Sequence, residues 1–268
     1  MSGIEINNDE VVSRDNIAPG VCGLRIMLVN VYAIFFSEGW LLVDAGLPMS
    51  QGQIHRWGES RFPRRKPLAL LLTHGHFDHV GALPYLLERW DIPVFAHPLE
   101  FPYLQGKAKY PPPDVTAGGG FMSLLAPFYP RGPIDLGERL QALPSDGSVP
   151  YVDDWKWIHT PGHTEGHVSF FRDSDRTLLV GDAFCTTKQE SVLAIASQAP
   201  ELHGPPAYYT SDWDAAKASV QNLAARRPFT VAAGHGSPMS GTDVAPALSF
   251  LARDFDKIAR PKKHNRAA

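Results

Sequence analysis

Apolar positions along the chain fall into short runs separated by turn-forming residues. "GLRIMLVNVYAIFFSEGWLLVDAG", Gly23 to Gly46, reads as two β-rich stretches parted by the turn signal Ser37-Glu38-Gly39, an antiparallel hairpin. "MSQGQIHRWGESRF" then spaces its apolar residues as a helix does, and "KPLALLLT" is a continuous apolar run suited to a buried strand. Leu83, Leu86, Leu87 and Trp90 mark one face of an amphipathic helix, after which "IPVFAH" returns to strand. The second half continues with the strand-like "WKWIHTPGH", "VSFFRD", "TLLVGD" and "FTVAAGH". A helix is expected over "SDWDAAKASVQNLAARR", with Ser211 able to cap it, and another pattern of helical spacing runs from Thr242 to Ile258. Strands gathered in each half, with helices between and after them, predict an α/β sandwich whose sheets are flanked by helices.

Residues 98–134 break this rhythm with a concentration of proline, glycine and aromatics. The chain is read as one domain, 1–268, carrying this segment as an insertion. So long a stretch without periodicity is uncommon unless it covers something, so a lid lined by Phe101, Tyr103, Phe121, Met122, Phe128 and Tyr129 is expected. The alternatives are an irregular surface connection, or an edge that serves a homodimer.

Several of the apolar runs end on ionisable groups. In "LLLTHGHFDHVGALP", Leu70 to Pro84, three histidines and an aspartate sit within six positions. His74 and His76 are two apart, so an extended backbone carries both to one face. Asp78 and His79 are adjacent and point apart unless the backbone turns, and Gly75 permits a tight path. One ion could take His74 and His76 while a neighbouring ion takes Asp78 and His79. His163, Asp182 and His235 each follow an apolar run and a glycine, and ligands mounted on strand ends can converge on one sheet edge. Asp44 in "LLVDAG" shares that position and is placed as the carboxylate that orients a ligand histidine. Five imidazoles and two carboxylates suit two divalent ions better than one, zinc first, with manganese or iron as alternatives, and Asp182 is the natural bridge. Such a pair lowers the pKa of a shared water and polarises a carbonyl, which makes a hydrolase without a serine or cysteine nucleophile. His159, inside an apolar strand, is expected as a hydrogen-bonded core residue or a support for a ligand, and His167 as support for its loop. His55, His97, His203 and His264 are read as structural or solvated.

The HxHxDH text at 74–79, "HTPGHTEGH" around His163, "LLVGD" ending at Asp182, "AAGHG" around His235 and "LLVDAG" at Asp44 stand in an order that resembles the metallo-β-lactamase superfamily over about residues 20–240. The resemblance implies a four-layer αββα sandwich with a dinuclear site at one sheet edge. It places His74, His76 and His163 on the first metal, Asp78, His79 and His235 on the second, and Asp182 on both. Quorum-quenching lactonases share this ligand set, yet they carry a tyrosine three residues after the bridging aspartate, where this chain has Cys185. A thiol is a poorer donor than a phenol, and Tyr208 or Tyr209 could supply a phenol from another loop. Thioester hydrolases of the glyoxalase II type match the ligands but add a basic helical region beyond the last one. Iron-dependent oxygenases or redox enzymes are a reading of a different class on the same ligands. The expectation is cleavage of a small, largely apolar ester or lactone, with Asp78 passing a proton by resemblance to the lactonases.

Composition narrows the partners. Twenty-five Lys plus Arg stand against 28 Asp plus Glu, a net charge of −3, so there is no domain-wide basic field to collect phosphates and nucleic acid is not expected. The one basic cluster, "RPKKHNRAA", reads as a solvated tail. Cys22 and Cys185 lack metal or redox spacing, the start "MSGIEINNDEVVSRDN" lacks a signal pattern, and no apolar run approaches a membrane span. A reduced, cytoplasmic enzyme whose partner is a small-molecule substrate is expected.

Overall fold

The computed structural model describes residues 4–5, 13–114, 117, 129–187 and 201–261. In chain order its strands are β1 (Ile4–Glu5), β2 (Val21–Ile26), β3 (Val29–Phe35), β4 (Trp40–Val43), β5 (Ala69–Leu71), β6 (Val94–Ala96) and β7 (Leu140–Ala142). There follow β8 (Ser148–Val149), β9 (Val152–His159), β10 (Val168–Arg172), β11 (Thr177–Gly181), β12 (Glu201–Leu202), β13 (Thr230–Ala233) and β14 (Met239–Ser240). The described helices are α1 (Gln51–Arg61), α2 (Phe77–Val80), α3 (Leu83–Trp90), α4 (Phe101–Leu104), α5 (Trp213–Ala225), α6 (Val244–Arg253) and α7 (Phe255–Ile258).

Two six-stranded sheets carry the fold, ordered β2-β3-β4-β5-β6-β7 and β14-β13-β11-β10-β9-β8, and β1 pairs separately with β12. The near-continuous apolar runs are explained by burial on both faces. Trp40, Leu42, Leu70 and Leu72 point outward onto Ile54 of α1 and Leu83, Leu86, Leu87 and Trp90 of α3. Their neighbours Leu41, Val43, Ala69 and Leu71 point inward, where they meet Trp155, Val168, Phe170, Leu179 and Ala232 of the second sheet. On the far side Phe171, Leu178, Val180 and Val231 pack against Val220 and Leu223 of α5 and Leu248 and Leu251 of α6. Helix, sheet, sheet and helix are therefore stacked as an αββα sandwich.

The structure departs from the sequence reading in a few places. Gly23 to Gly46 is not one hairpin but three strands, because a second turn falls at Met27-Leu28. That turn carries no glycine or asparagine to announce it, and Met27 takes a left-handed φ of 54°. Asp212, not Ser211, caps α5: its side chain accepts from the backbone N–H groups of Asp214 and Ala215, both at 3.0 Å. Ser211 Oγ instead donates to the Gly162 carbonyl at 3.2 Å. Arg260, read as the start of a solvated tail, is ion-paired to Asp256 at 3.0 Å. His264, Phe121, Met122 and Phe128 lie outside the described residues. Among the described residues no helix is long and apolar enough to cross a membrane.

Topology fixes where the chemistry gathers. Strands β4, β5 and β6 run parallel, so Asp44, the 73–79 loop and the 97–100 turn leave the first sheet at one edge. In the second sheet β9 and β11 are both antiparallel to β10, and β13 is parallel to β11. Hence His163, Asp182 and His235 all follow strand ends that share an edge. The Thr73 carbonyl accepts from Val168 N at 2.9 Å and Asn30 N donates to the Gly234 carbonyl at 2.8 Å, which brings the two edges together.

Candidate metal centre

The seven sequence-expected ligands meet in one cluster between the sheet edges. Their ligand atoms form three overlapping groups, each within 4.8 Å: His74, His76 and His163; His74, His79 and Asp182; Asp78, His79 and His235. All are buried except the half-buried Asp78. The adjacent Asp78 and His79 can serve one place because they lie on the short helix α2, where successive side chains diverge by about 100°.

Hydrogen bonds fix which ring nitrogens are bare. Asp44, a carboxylate with only acceptors, takes Thr73 N–H on Oδ1 at 2.8 Å and Thr73 Oγ1–H on Oδ2 at 2.8 Å. The Thr73 hydroxyl, its proton spent there, accepts from His74 Nδ1 at 3.1 Å, which leaves His74 Nε2 bare. Asp44 Oδ2 also lies 2.8 Å from His79 Nδ1, so that nitrogen donates and His79 Nε2 is the atom turned toward the cluster. Thr210 Oγ1 donates to the Pro206 carbonyl at 2.8 Å and accepts from His163 Nδ1 at 3.3 Å, which frees His163 Nε2. His235 Nδ1 donates to the Leu28 carbonyl at 2.8 Å, the carbonyl presented by the unannounced turn.

Bare nitrogens and carboxylates then face one another. His76 Nδ1 lies 3.1 Å from His74 Nε2 and 2.9 Å from His163 Nε2. At most one of these contacts can hold a proton. His235 Nε2 stands 3.2 Å from Asp182 Oδ2 and 3.4 Å from Asp78 Oδ2, while His79 Nε2 is 3.5 Å from Asp182 Oδ1. Both His79 Nε2 and Asp182 Oδ1 are buried without a hydrogen-bond partner. Converging imidazole lone pairs around His76 and crowded carboxylates, one oxygen of Asp182 without a hydrogen-bond partner, call for cations between them, so the donor set fits divalent metal ions.

The electrostatics divide the cluster. Burial, with help from neighbouring imidazoles, holds His74 and His163 well below the ordinary imidazole value, and burial above all takes His76 down to about 4. That half presents neutral, lone-pair-bearing rings. Burial acts against the charge on His79 and His235 too, but the carboxylates of Asp182, Asp44 and Asp78 outweigh it, raising His79 well above the usual value and His235 to about 10. Burial would likewise push Asp78 and Asp182 up, yet their histidine neighbours hold both below the usual carboxylate range.

The other histidines sort differently from expectation. His167 is wholly buried and does more than support a loop: its Nε2 accepts the Asp182 backbone N–H at 2.8 Å while Nδ1 bonds Thr160 Oγ1 at 2.8 Å. His159 is not a core residue, since it falls on the exposed face of β9. Its Nε2 bonds the Glu165 carbonyl at 2.8 Å and its ring stacks on His97 at 4.3 Å. Cys185 is buried, exchanges backbone hydrogen bonds with His203, and forms no disulfide with Cys22.

Sequence reasoning passed over Thr73, Thr210, Asn30, Glu100 and Tyr110. Asn30 Nδ2 donates to the carbonyls of Ala233 and Gly236, at 3.0 and 2.7 Å, and so brackets His235. Glu100 offered the same signal as the ligands, an ionisable residue just past a strand, and it is fully buried. Burial raises its carboxyl, against hydrogen bonds from Thr164, Tyr110, Gly75 and Gly166.

A cavity of about 280 Å³ opens on this cluster. Its apolar wall comes from Met27, Leu28, Leu47, Pro48 and Phe77, and Tyr129, stacked on Phe77 at 5.0 Å, closes one side. A second cavity of about 500 Å³ shares His76, His163, Tyr208 and Tyr209 with the first and is bordered by Tyr103, Thr164, Ser211 and Trp213. Phe101, expected to line a pocket, packs instead against the core beneath α3.

Comparison with known proteins agrees with this geometry. The family model described as "Metallo-beta-lactamase superfamily" matches residues 24–235. The chain is 45% identical over 245 residues to "Probable metallo-hydrolase YflN" of Bacillus subtilis (strain 168), covering 90% of this chain and 93% of that protein. It is 36% identical over 105 residues to "Hydroxyacylglutathione hydrolase" of Xylella fastidiosa (strain M23), 39% of this chain and 28% of that one. Among solved structures, "TTHA1623 in a di-iron-bound form" superposes with a TM-score of 0.57 at 26% identity, covering 86% of this chain and 96% of that chain.

Proposed function

The chain belongs to the metallo-beta-lactamase superfamily, and from that premise we propose that it hydrolyses a small, largely apolar ester or lactone at a dinuclear zinc centre. The observation that carries the substrate class is the apolar cavity walled by Met27, Leu28, Leu47, Pro48 and Phe77, directly over the His/Asp cluster. His74, His76 and His163 would hold one ion, Asp78, His79 and His235 the other, and Asp182 would touch both. Two bound divalent ions would supply a nucleophilic water near neutral pH and polarise the scissile carbonyl.

The remaining work falls to the chain's own groups. Asp78 is the more exposed of the two ligand-set carboxylates that border the cavity, so its Oδ atoms take a proton from the attacking water and return it to the leaving oxygen. Tyr209 borders both cavities, with its ring 5.0 Å from that of His76. Burial, with Asp78 nearby, raises its phenol, which therefore stays protonated and donates a hydrogen bond to the substrate. This fills the part that Cys185 cannot, because Cys185 borders neither cavity. Asp44 and His167 hold His79 and Asp182 in place. Tyr103 and Tyr129, described residues of the 98–134 segment, border the cavities and serve as part of their cover.

The decisive experiment is elemental analysis of the purified protein alongside a panel of lactones, aryl esters and thioesters, before and after chelation. Two equivalents of zinc or manganese with chelator-sensitive ester or lactone turnover are expected. Preferential thioester turnover would move the reading to the class named by the hydroxyacylglutathione hydrolase relative. Bound iron with oxygen uptake and no hydrolysis would move it to redox chemistry, the alternative that the di-iron-bound neighbour favours.

A further inference from the structure

One buried carboxylate outside the proposed ligand set joins two of the ligand loops. Glu100 stands four residues beyond the final residue of β6 and is 0% exposed. Its Oε2 accepts from Gly75 N at 2.9 Å and from the Tyr110 hydroxyl. Its Oε1 accepts from Thr164 Oγ1 at 2.6 Å and Gly166 N at 3.0 Å. Gly75 lies between His74 and His76, and Thr164 follows His163, so these acceptor positions reach the loops of all three histidines in one half of the centre. We infer that Glu100 is a positioning residue that sets the geometry of the His74, His76 and His163 triad, and with it the affinity of that half for its ion.

The packing around Glu100 supports a dedicated role. A Cβ at Gly75 would stand 2.5 Å from the Tyr110 hydroxyl, and one at Gly166 would stand 2.7 Å from Glu100 Cγ. The glycines of "HGH" and "EGH" are thus required by the approach of this side chain and its partner. Tyr110 extends the clamp: its hydroxyl lies 3.0 Å from Gly75 N and its ring 4.4 Å from that of His76. The other half does not contact Glu100: His79 is held by Asp44, which also reaches His74 through Thr73, and His235 by the Leu28 carbonyl. A structural filler could be apolar at lower cost, since burying a carboxylate is unfavourable unless its oxygens are all satisfied.

The inference rests on the proposed dinuclear reading, and the test separates the two. Full-length protein is stripped by chelation and titrated with Zn(II) against a chromophoric chelator, as wild type, Glu100→Gln, Thr164→Val, His235→Ala and Glu100→Gln/His235→Ala. In Glu100→Gln the amide nitrogen must face either the Gly75 N–H or the Gly166 N–H, so one loop loses its anchor. Expected is one affinity lowered by about 10–100-fold with the other unchanged, in line with the usual cost of removing a group that orients a ligand. The same loss is expected between His235→Ala and the double variant, which identifies the affected half. Thr164→Val, which leaves Glu100 in place, shifts that affinity in the same direction by less, and it decides the matter alone if Glu100→Gln does not fold. If both variants bind two ions as wild type does, whatever their metal-free melting temperatures, Glu100 is only a fold contact and the inference is overturned. A wild type that binds fewer than two ions overturns the dinuclear reading instead.

Discussion

Asp44 shows how much one carboxylate can decide. It sits at a left-handed φ of 61°, which an asparagine tolerates, so Asp44→Asn keeps the backbone and changes only the chemistry. The amide nitrogen would face His79 Nδ1–H and drive the ring to its other tautomer, placing a proton on the Nε2 that the metal needs. Metal affinity is expected to fall by about 10–100-fold, read by competition with a chelator; an unchanged affinity would show that the tautomer is set elsewhere. Asp78→Asn tests the proton-transfer role. Its kcat is expected to drop by about 10²–10⁴-fold while the tri-histidine half keeps its ion, and full turnover with two ions bound would remove the role. The ligand histidines and Asp44 were legible because each stands at the end of an apolar run. Glu100 stands in an equivalent place, but its significance lies in who donates to it, and partners 25 and 64 residues away leave no trace in spacing.

Elements were legible where periodicity is strong and partly hidden where a turn has ordinary residues. The five leucines of α3 and β5, Leu83, Leu86, Leu87, Leu70 and Leu71, announce a helix face and a buried strand. The Met27-Leu28 turn does not announce itself, although it supplies both the His235 anchor and part of the cavity wall. The β10–β11 turn offers an electrostatic prediction away from the site. Arg172 donates to Asp175 from Nε at 3.0 Å and Nη2 at 2.7 Å, and Thr177 N donates to Asp175 Oδ1 at 3.1 Å. Burial would raise the Asp175 carboxyl, but these bonds and the guanidinium charge outweigh it and hold it below its usual value. A lowered folded pKa stabilises above the unfolded value of about 3.9 and is lost as pH falls through the folded value. Asp175→Asn should therefore cost about 1 kcal/mol at pH 7, since the half-buried carboxylate is partly screened by solvent although Arg172 is buried, and nothing once the carboxylate is protonated. Urea midpoints of both proteins from pH 7 to pH 3 check this, and a difference that stays constant would disprove it.

At the scale of the molecule, the ligands are divided between the sheets: Asp78 and the histidines at 74, 76 and 79 follow β5, while His163, Asp182 and His235 follow strands of the second sheet. Divalent ions held across that junction would bind the closed sandwich in preference to the open chain. Chelation is accordingly expected to lower the melting temperature, and the stabilisation should grow with free metal, reaching about 4 kcal/mol at a thousandfold excess over Kd. A melting temperature indifferent to metal would mean the sheets are locked without it. The division also imposes an order on biosynthesis. The first sheet is contiguous in the chain, from Val21 to Ala142, and the second runs from Ser148 to Ser240. A ribosome therefore releases one sheet before the other exists, with Leu41, Val43 and Leu71 bare on the inner face until Phe170 and Leu179 arrive. At about 5–20 residues per second that interval lasts several seconds. A nascent chain halted after Ala142 is expected to bind a hydrophobic dye and to bind divalent metal only weakly, which would make metal acquisition a late event that follows closure of the sandwich.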